Sequence, residues 1–344
     1  MSPESPSTSA PSASMTLLQL ASGSWIGQSV HVAAKLGIAD LLEDGPKSPA
    51  TLAEATGAHA GALHRLLRAL ASLGIFAEDA EGRFGLTPLA DGLRTNAPGS
   101  LRAYSIMLGE DWHWRVWGEL LHSVRTGQGA FEHVFGRNVF SYFGEHPEAA
   151  QVFNAAMTSR TGQETAAVTA AYDWPTRGII VDVGGGQGAL LSTVLRQNPG
   201  VRGILFDVPH VIAAGRELIG AAGLGDRCEL AAGDFFERVP PGGDLYLLKR
   251  VIHDWDDERA KAILCRCRAA MGKASRLLVI EHVLPPGNIP SWGKLLDLQM
   301  LVLTPGGRER DEAGFRALLG SAGLRLERIL PAGPTASLIE AVVI

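Results

Sequence analysis

Val181-Asp182-Val183-Gly184-Gly185-Gly186-Gln187-Gly188-Ala189-Leu190 is the stretch that decides the fold. An apolar run over 178–183 leads into it, four glycines fill the turn, and residues 189–197 lead out with helical character. This predicts a strand, a glycine loop and a helix, a unit in which bare backbone comes close to a nucleotide-type cofactor. Gly184, Gly186 and Ala189 satisfy the spacing of a dinucleotide fingerprint, a weak signal by itself. Asp182 argues against an NAD-dependent dehydrogenase. A carboxylate just before the turn repels a pyrophosphate, whereas it attracts the ammonium and sulfonium of S-adenosylmethionine.

Downstream of the loop, strand-like and helix-like segments alternate. Strands are predicted over 178–183, 202–207, 228–232, 244–249, 275–282, 325–331 and 337–343, and helices over 189–197, 211–222, 257–271 and 312–322. The alternation implies a doubly wound α/β domain over residues 176–344, with its site at the carboxyl ends of the strands. Asp207 ends the second strand, where a carboxylate can accept both ribose hydroxyls of an adenosine; the competing reading is a helix cap before Val211. Gly233-Asp234-Phe235-Phe236 ends the third and offers a carboxylate to an adenine amino group and an aromatic face to its ring. An Asp after Gly is also ordinary turn chemistry.

Lys249-Arg250-Val251-Ile252-His253-Asp254-Trp255-Asp256-Asp257 follows the fourth strand. The acids at 254, 256 and 257 read as caps and first-turn charges of the next helix. His253 differs, because an imidazole at the end of a central strand can serve as a general base near working pH. Two acids strengthen that reading over a purely structural His. Glu281 ends an otherwise apolar strand, and Glu309 lies in Pro305-Gly306-Gly307-Arg308-Glu309-Arg310. A carboxylate that accepts the Nδ1 proton fixes the tautomer and leaves Nε2 free to take a proton.

Upstream, apolar residues such as Leu17, Leu20, Ile26, Val30 and Leu36 recur at helical intervals over 16–42 with few charges among them. They serve either packing within their own domain or a subunit interface. Ser48-Pro49 opens a helix, Gly57 stops it, another helix runs over 61–73, and two short strands flank a turn over 78–82; together these predict a winged helix-turn-helix within residues 15–100. DNA binding by such a module needs cations, yet residues 1–100 hold nine Asp/Glu against six Lys/Arg, and the wing turn carries Glu78, Asp79 and Glu81 against Arg83. Dimer assembly is the better assignment. The helical linker over 101–175 is rich in aromatic residues and Met, which suits a flat apolar pocket with His113 and Asn154 as polar markers.

At 344 residues and a formal net charge of −5, the chain can bury a core without disulfides and has no global basic field for nucleic acid or anionic membrane. Its three cysteines read as reduced thiols, and His113, His122 and His133 form no closed ligand set, so no metal is expected. Residues 1–14 are Ser/Pro/Ala-rich and read as a disordered tail; neither a signal peptide nor a run of 18 apolar residues is evident, which fits a cytoplasmic protein.

VDVGGGQG, FDVPHVI, GDFF, LLKRVIHDWDD, IEHVLP and TPGGRER, in that order behind a winged-helix front, resemble the S-adenosylmethionine-dependent O-methyltransferases of the plant caffeic acid and flavonoid, hydroxyindole and bacterial anthracycline and mitomycin type. The likeness covers residues 17–344. It implies a Rossmann-like seven-stranded sheet with its last strand antiparallel, behind a mostly helical winged-helix dimerisation domain, in a homodimer of secondary metabolism. His253 looks like the family's general base and Glu281 and Glu309 like its flanking acids. Asp182, Gly184, Gly186, Asp207, Asp234, Phe235 and Lys249 look like cofactor contacts, with Trp255 near the adenine and Ser159 or Arg160 at the methionine carboxylate. Phe153, Asn154, Met157, Asp297 and Met300 match positions that shape the pocket for an aromatic acceptor, and Trp112 of the aromatic linker is expected to converge on it. Members of the bacterial branch also methylate carbon or nitrogen, or keep the cofactor as a bystander in decarboxylation or hydroxylation; His253 with both acids favours O-methylation.

Overall fold

The computed structural model describes residues 12–344. These fall into two units, one ending at Glu110 and one spanning Asp111–Ile344.

The front unit is mostly helical. Of the tail expected over 1–14, residues 1–11 lie outside the described residues, while Ser12 accepts the Met15 N–H at 3.3 Å and opens a helix at Ala13. The apolar stretch over 16–42 is divided among helices Ala13–Ala21, Gly23–Lys35 and Ile38–Leu41. Gly37, at φ 67°, takes the left-handed conformation that separates the last two. Leu20 and Trp25 are each 74% exposed, which favours the subunit-interface reading of this stretch over internal packing.

Ser48 caps the helix Pro49–Thr56 by accepting the Thr51 N–H at 3.2 Å, and Gly57 ends it. The helix Ala60–Ser72 buries Leu63, Leu67 and Leu70 against Phe76 of β1 (Phe76–Glu78) and Phe84 of β2 (Phe84–Leu86), which pair antiparallel as the expected wing. Arg83 in the wing turn is bound by Asp79 at 2.8 Å and Glu81 at 3.2 Å, so its charge is neutralised where DNA phosphates would need it. The boundary expected after residue 100 moves to Glu110. His31 Nδ1 donates to the Ile106 carbonyl at 2.8 Å and Lys35 pairs with Glu110 at 2.7 Å, holding the helix Arg102–Gly109 to the front unit.

The second unit begins with short helices that lead to the long helix Pro147–Ala170. Seven strands follow: β3 (Gly178–Val183), β4 (Val201–Asp207), β5 (Cys228–Ala232), β6 (Leu245–Lys249), β7 (Arg276–Glu281), β8 (Leu324–Pro331) and β9 (Ser337–Val343). Their order is β5-β4-β3-β6-β7-β9-β8, and β9 runs antiparallel to both neighbours while the other pairs are parallel. Each strand ends within one residue of expectation, because central parallel strands are apolar on both faces and stand out as runs. Val181, Tyr246, Leu248, Leu277 and Val279 pack on one face, and Ile180, Leu245, Leu247, Leu278 and Ile280 on the other. The strand order reverses between β3 and β4 on one side and β6 on the other, so the ends of β3 and β6 open on a common crevice. No helix among the described residues is long and apolar enough to cross a membrane.

Candidate active site

The glycine loop leaves β3 with Gly184, Gly186 and Gly188 at φ 67°, 60° and 83°. A Cβ on Gly184 would stand 2.8 Å from Val251 Cγ2, and one on Gly188 would stand 2.9 Å from Leu205 Cδ2, so space as well as conformation demands glycine. Asp182 is buried beneath the turn with Oδ1 unpartnered. Burial pushes its carboxyl up to about 7, against the pull of Lys249 and with the added push of Asp207. An orphaned acid of this kind fits a cationic ligand, which would restore its charge.

Asp207 binds the loop from the end of β4: Oδ2 accepts the Gly186 N–H at 2.8 Å and Oδ1 the Val208 N–H at 2.7 Å. The helix Pro209–Ala221 starts from Val208 without a side-chain cap, which sets aside the capping alternative for Asp207. Each oxygen keeps a further lone pair for a hydroxyl donor. At the end of β5, Asp234 accepts the Phe236 N–H at 2.8 Å in a side-chain turn. The Phe235 ring lies near Gly184 and meets Trp255 edge-on at 6.2 Å, and Trp255 stacks on Phe140 at 5.3 Å. The third and fourth strand ends thus share one aromatic wall.

The helix Pro147–Ala170 lies along the loop side. Thr158 Oγ1 donates to Gln187 Oε1 at 3.3 Å, and the next residues, Ser159 and Arg160, precede a buried acid, Glu164. Three cations surround that acid: Arg250 at 2.7 Å, Lys249 at 3.1 Å and Arg160 at 3.4 Å. Burial alone would raise the Glu164 carboxyl, but Arg250, Lys249 and Arg160 hold it down at about 2. Lys249 also donates to Thr161 Oγ1 at 3.1 Å. With Glu309 also 4.0 Å from Arg250, three cations meet two acids here, which leaves the cluster with an excess of positive charge.

His253 sits in the short 3-10 turn Ile252–Asp254 after β6, buried, with Nδ1 donating to Glu309 Oε1 at 2.7 Å. Glu281 meets the backbone of His253 rather than its ring, accepting the N–H at 3.0 Å, and its Oε2 is left without a partner. Asp254 Oδ1 stands 3.7 Å from Nε2. Asp256, not Asp254, caps the helix Asp257–Ala270 by accepting the Arg259 N–H at 2.8 Å. Burial works against a charged imidazole, but Glu309, Asp254 and Glu281 together push His253 up to about 9. Burial raises Asp254 to about 7 against the pull of His253, and it raises Glu281 as well; Glu309 is held low by His253 and Arg250 despite its burial. The donor atoms of His253, Glu281 and Glu309 lie within 4.8 Å of one another, but they are already joined through the His253 ring and backbone.

The aromatic segment converges on a separate layer. Trp112 meets Phe143 edge-on at 5.1 Å, and Phe143 packs on Phe153 at 4.7 Å. Gln299 Nε2 donates to His113 Nε2 at 2.8 Å, and Gln299 Oε1 accepts from Trp117 Nε1 at 2.5 Å. Met300 is buried on the same helix, Trp292–Leu303, and Asn154 and Met157 stand half-buried on Pro147–Ala170. Asp297, expected to help shape the pocket, accepts the Glu309 N–H on Oδ1 at 2.8 Å. The helix Trp292–Leu303 therefore links the aromatic layer to the acid behind His253. Local pattern does not mark Glu164, Arg250 or Gln299, and it marks Asp254 only as a cap or first-turn charge. The one signal for Glu164 was an acid on a helix that must pack against the sheet.

Residues 117–325 match the model of an O-methyltransferase domain, and residues 18–96 match that of an O-methyltransferase dimerisation domain. The chain is 49% identical to phenazine O-methyltransferase PhzM of Lysobacter antibioticus, over 95% of this chain and 96% of that protein. It is 43% identical to mitomycin biosynthesis 6-O-methyltransferase of Streptomyces lavendulae, over 96% of this chain and 95% of that protein. Among solved structures, that of LaPhzM superposes with a TM-score of 0.93 at 48% identity, covering 97% of this chain and 100% of that one. Sequence, fold and glycine loop agree, and the chain belongs to the S-adenosylmethionine-dependent O-methyltransferase family, whose dimerisation domain forms its front unit.

Proposed function

We propose that the protein methylates a hydroxyl of a phenolic or polycyclic aromatic small molecule in bacterial secondary metabolism, with His253 as general base. The observation that carries this reading is the buried imidazole held at Nδ1 by Glu309 at 2.7 Å, because that bond turns Nε2 into the ring's working nitrogen. The aromatic layer of Trp112, Phe143 and Phe153 suits a flat acceptor. The relative named for phenazine acts on a molecule of that shape.

S-Adenosylmethionine, when bound, supplies an electrophilic methyl group on a sulfonium. Gly184 and Gly186 give it backbone to lie against, Asp182 and Asp207 answer its positive charge and its ribose, and Asp234, Phe235 and Trp255 receive the adenine. Lys249, Ser159 and Arg160 face the methionine carboxylate from the cluster with excess positive charge. His113, Asn154, Met157 and Met300 shape the acceptor side with Trp112 and Phe153, while Asp297 and Glu281 hold the backbone of Glu309 and His253.

A phenol is mostly protonated at neutral pH, so its oxygen must lose a proton as the new bond forms. His253 can take that proton only when its ring is neutral, and its acids push its pKa up to about 9. It gives the proton up more readily beside a bound cation. The imidazolium formed during transfer is stabilised at Nδ1 by Glu309 and beside Nε2 by Asp254.

Transfer of labelled methyl to a panel of phenols, catechols and polycyclic quinones tests the reading, with His253→Ala beside the native protein. We expect label on oxygen and a loss of about a hundredfold to ten-thousandfold in the variant, with cofactor affinity little changed. An unchanged rate removes the base. Label on carbon or nitrogen replaces O-methylation.

A further inference from the structure

Among the described residues, Arg250 is the only one other than glycine with a positive φ, 57°. This conformation disfavours any residue with a Cβ, and here it occurs between the last residue of β6 and the turn that carries His253. The guanidinium is largely buried and meets three separate elements. Nη2 donates to Glu164 Oε1 at 2.7 Å on the helix Pro147–Ala170 and to the Thr335 carbonyl between β8 and β9. Nη1 stands 4.0 Å from Glu309 Oε1, the oxygen that holds the His253 ring, and makes no hydrogen bond of its own.

We propose that Arg250 is a positioning residue for the base: it divides one positive charge between Glu164 and Glu309, and so couples the helix carrying the cofactor and acceptor contacts to the imidazole. The inference rests on the assignment of His253 as that base. The other groups facing this pair are Glu281 at the end of β7 and His282 just after it, Asp254 after β6, Asp297 from Trp292–Leu303, Arg308 and Arg310 beside Glu309, and Lys249 and Arg160 around Glu164. Lys249 and Arg160 serve Glu164, and Arg308 and Arg310 pair with Asp257, which leaves Arg250 as the cation placed between the two acids.

The arrangement predicts opposite effects from its two ends. Removing Arg250 takes a positive charge from beside Glu309, so the His253–Glu309 pair holds its proton more tightly. Removing the charge of Glu164 leaves Arg250 less shared, so the pair releases its proton more easily. An ion pair that supports the fold without acting on the imidazole predicts neither shift.

NMR titration of ring-labelled histidine in the full-length protein reads this directly, with the His253 signal assigned by its loss in His253→Ala. Arg250→Gln is expected to move the His253 midpoint up by about one pH unit and Glu164→Gln to move it down by a similar amount, with Arg250→Lys close to native. Methyl transfer by Arg250→Gln should then be about tenfold slower on the acid side and recover as pH rises. Midpoints that move the same way in both variants, or that stay fixed in folded proteins, overturn the proposal. Should Arg250→Gln fail to fold, the downward shift in Glu164→Gln decides alone. The titration needs no turnover, so a protein that methylates nothing on the panel counts against the proposed function and leaves this result standing.

Discussion

Apart from Glu281, which accepts the His253 N–H, the cofactor half and the base half of the site hold their carboxylates by different means. Asp207 and Asp234 accept backbone N–H groups from Gly186, Val208 and Phe236, fixed by a loop and by turns. Glu309 and Glu164 are held by charged side chains: His253, from 56 positions away in the chain, and Arg250, which serves both acids. Backbone donors keep their geometry through most single substitutions, whereas a balance of buried charges shifts whenever one member changes. The first half should respond to mutation mainly in affinity, and the second mainly in rate and pH dependence.

The sharpest test of that contrast is Glu309→Gln. The amide can still meet the ring but offers no charge to an imidazolium, so the maximal rate should fall by roughly a hundredfold, with cofactor affinity nearly native. The direction on pH follows from the pair. Glu309 is the leading acid that raises His253 above its ordinary value to about 9, so its loss lowers the ring's pKa and moves the acidic limb of the rate profile to lower pH. The same pair contributes stability through the imidazolium below about 6.5, and that part is lost as pH rises through about 9. Thermal melts of native and variant protein should therefore converge on the alkaline side. A limb that moves upward, or a variant weak only in cofactor binding, would put Glu309 in the wrong half.

On the cofactor half, Asp207→Ala removes the carboxylate that ties Gly186 to β4 and, in the proposed function, meets the ribose. Calorimetry should show cofactor binding weakened by about tenfold to a hundredfold, while the rate at saturating cofactor stays within a fewfold of native. Equal affinity would refute the ribose role. A large loss of rate at saturation would show that the two halves are less separable than their bonding implies.

The two halves also differed in how plainly they could be read. Asp207 closes β4, and Asp182 and Asp234 stand within two residues of the ends of β3 and β5, so neighbouring residues reveal their place at the crevice. His253 was visible for the same reason. Its surroundings were visible only in part, because partners that meet through the fold leave no mark on local pattern. Glu281 was assigned to the ring and holds the backbone instead. Asp254 was read as a cap, although the capping bond belongs to Asp256 two residues on. Glu164 lies on a 24-residue helix with no clear apolar stripe, and its meaning comes from Lys249 and Arg250, which meet it from the end of β6, far along the chain. The helix Trp292–Leu303 escaped notice because its largely apolar run shows no polar face to set a period.

Asp297 offers the smallest effect and the finest cut. It stands beside the base half, yet it is bonded in the manner of the cofactor half, with Oδ1 accepting the Glu309 N–H at 2.8 Å. If the bond is what counts, Asp297→Asn retains an acceptor oxygen and should keep nearly native turnover, while Asp297→Ala strands the N–H and should slow transfer by about fivefold, equivalent to ~1 kcal/mol. If the charge counts, both variants should slow alike and shift the rate profile, since Asp297 is one of the acids near Glu309. Paired pH–rate profiles separate the two cases. A native-like Asn variant with an impaired Ala variant would mean that backbone anchoring extends behind the charged cluster, so that the balance around His253 rests on a scaffold of the same kind as the glycine loop.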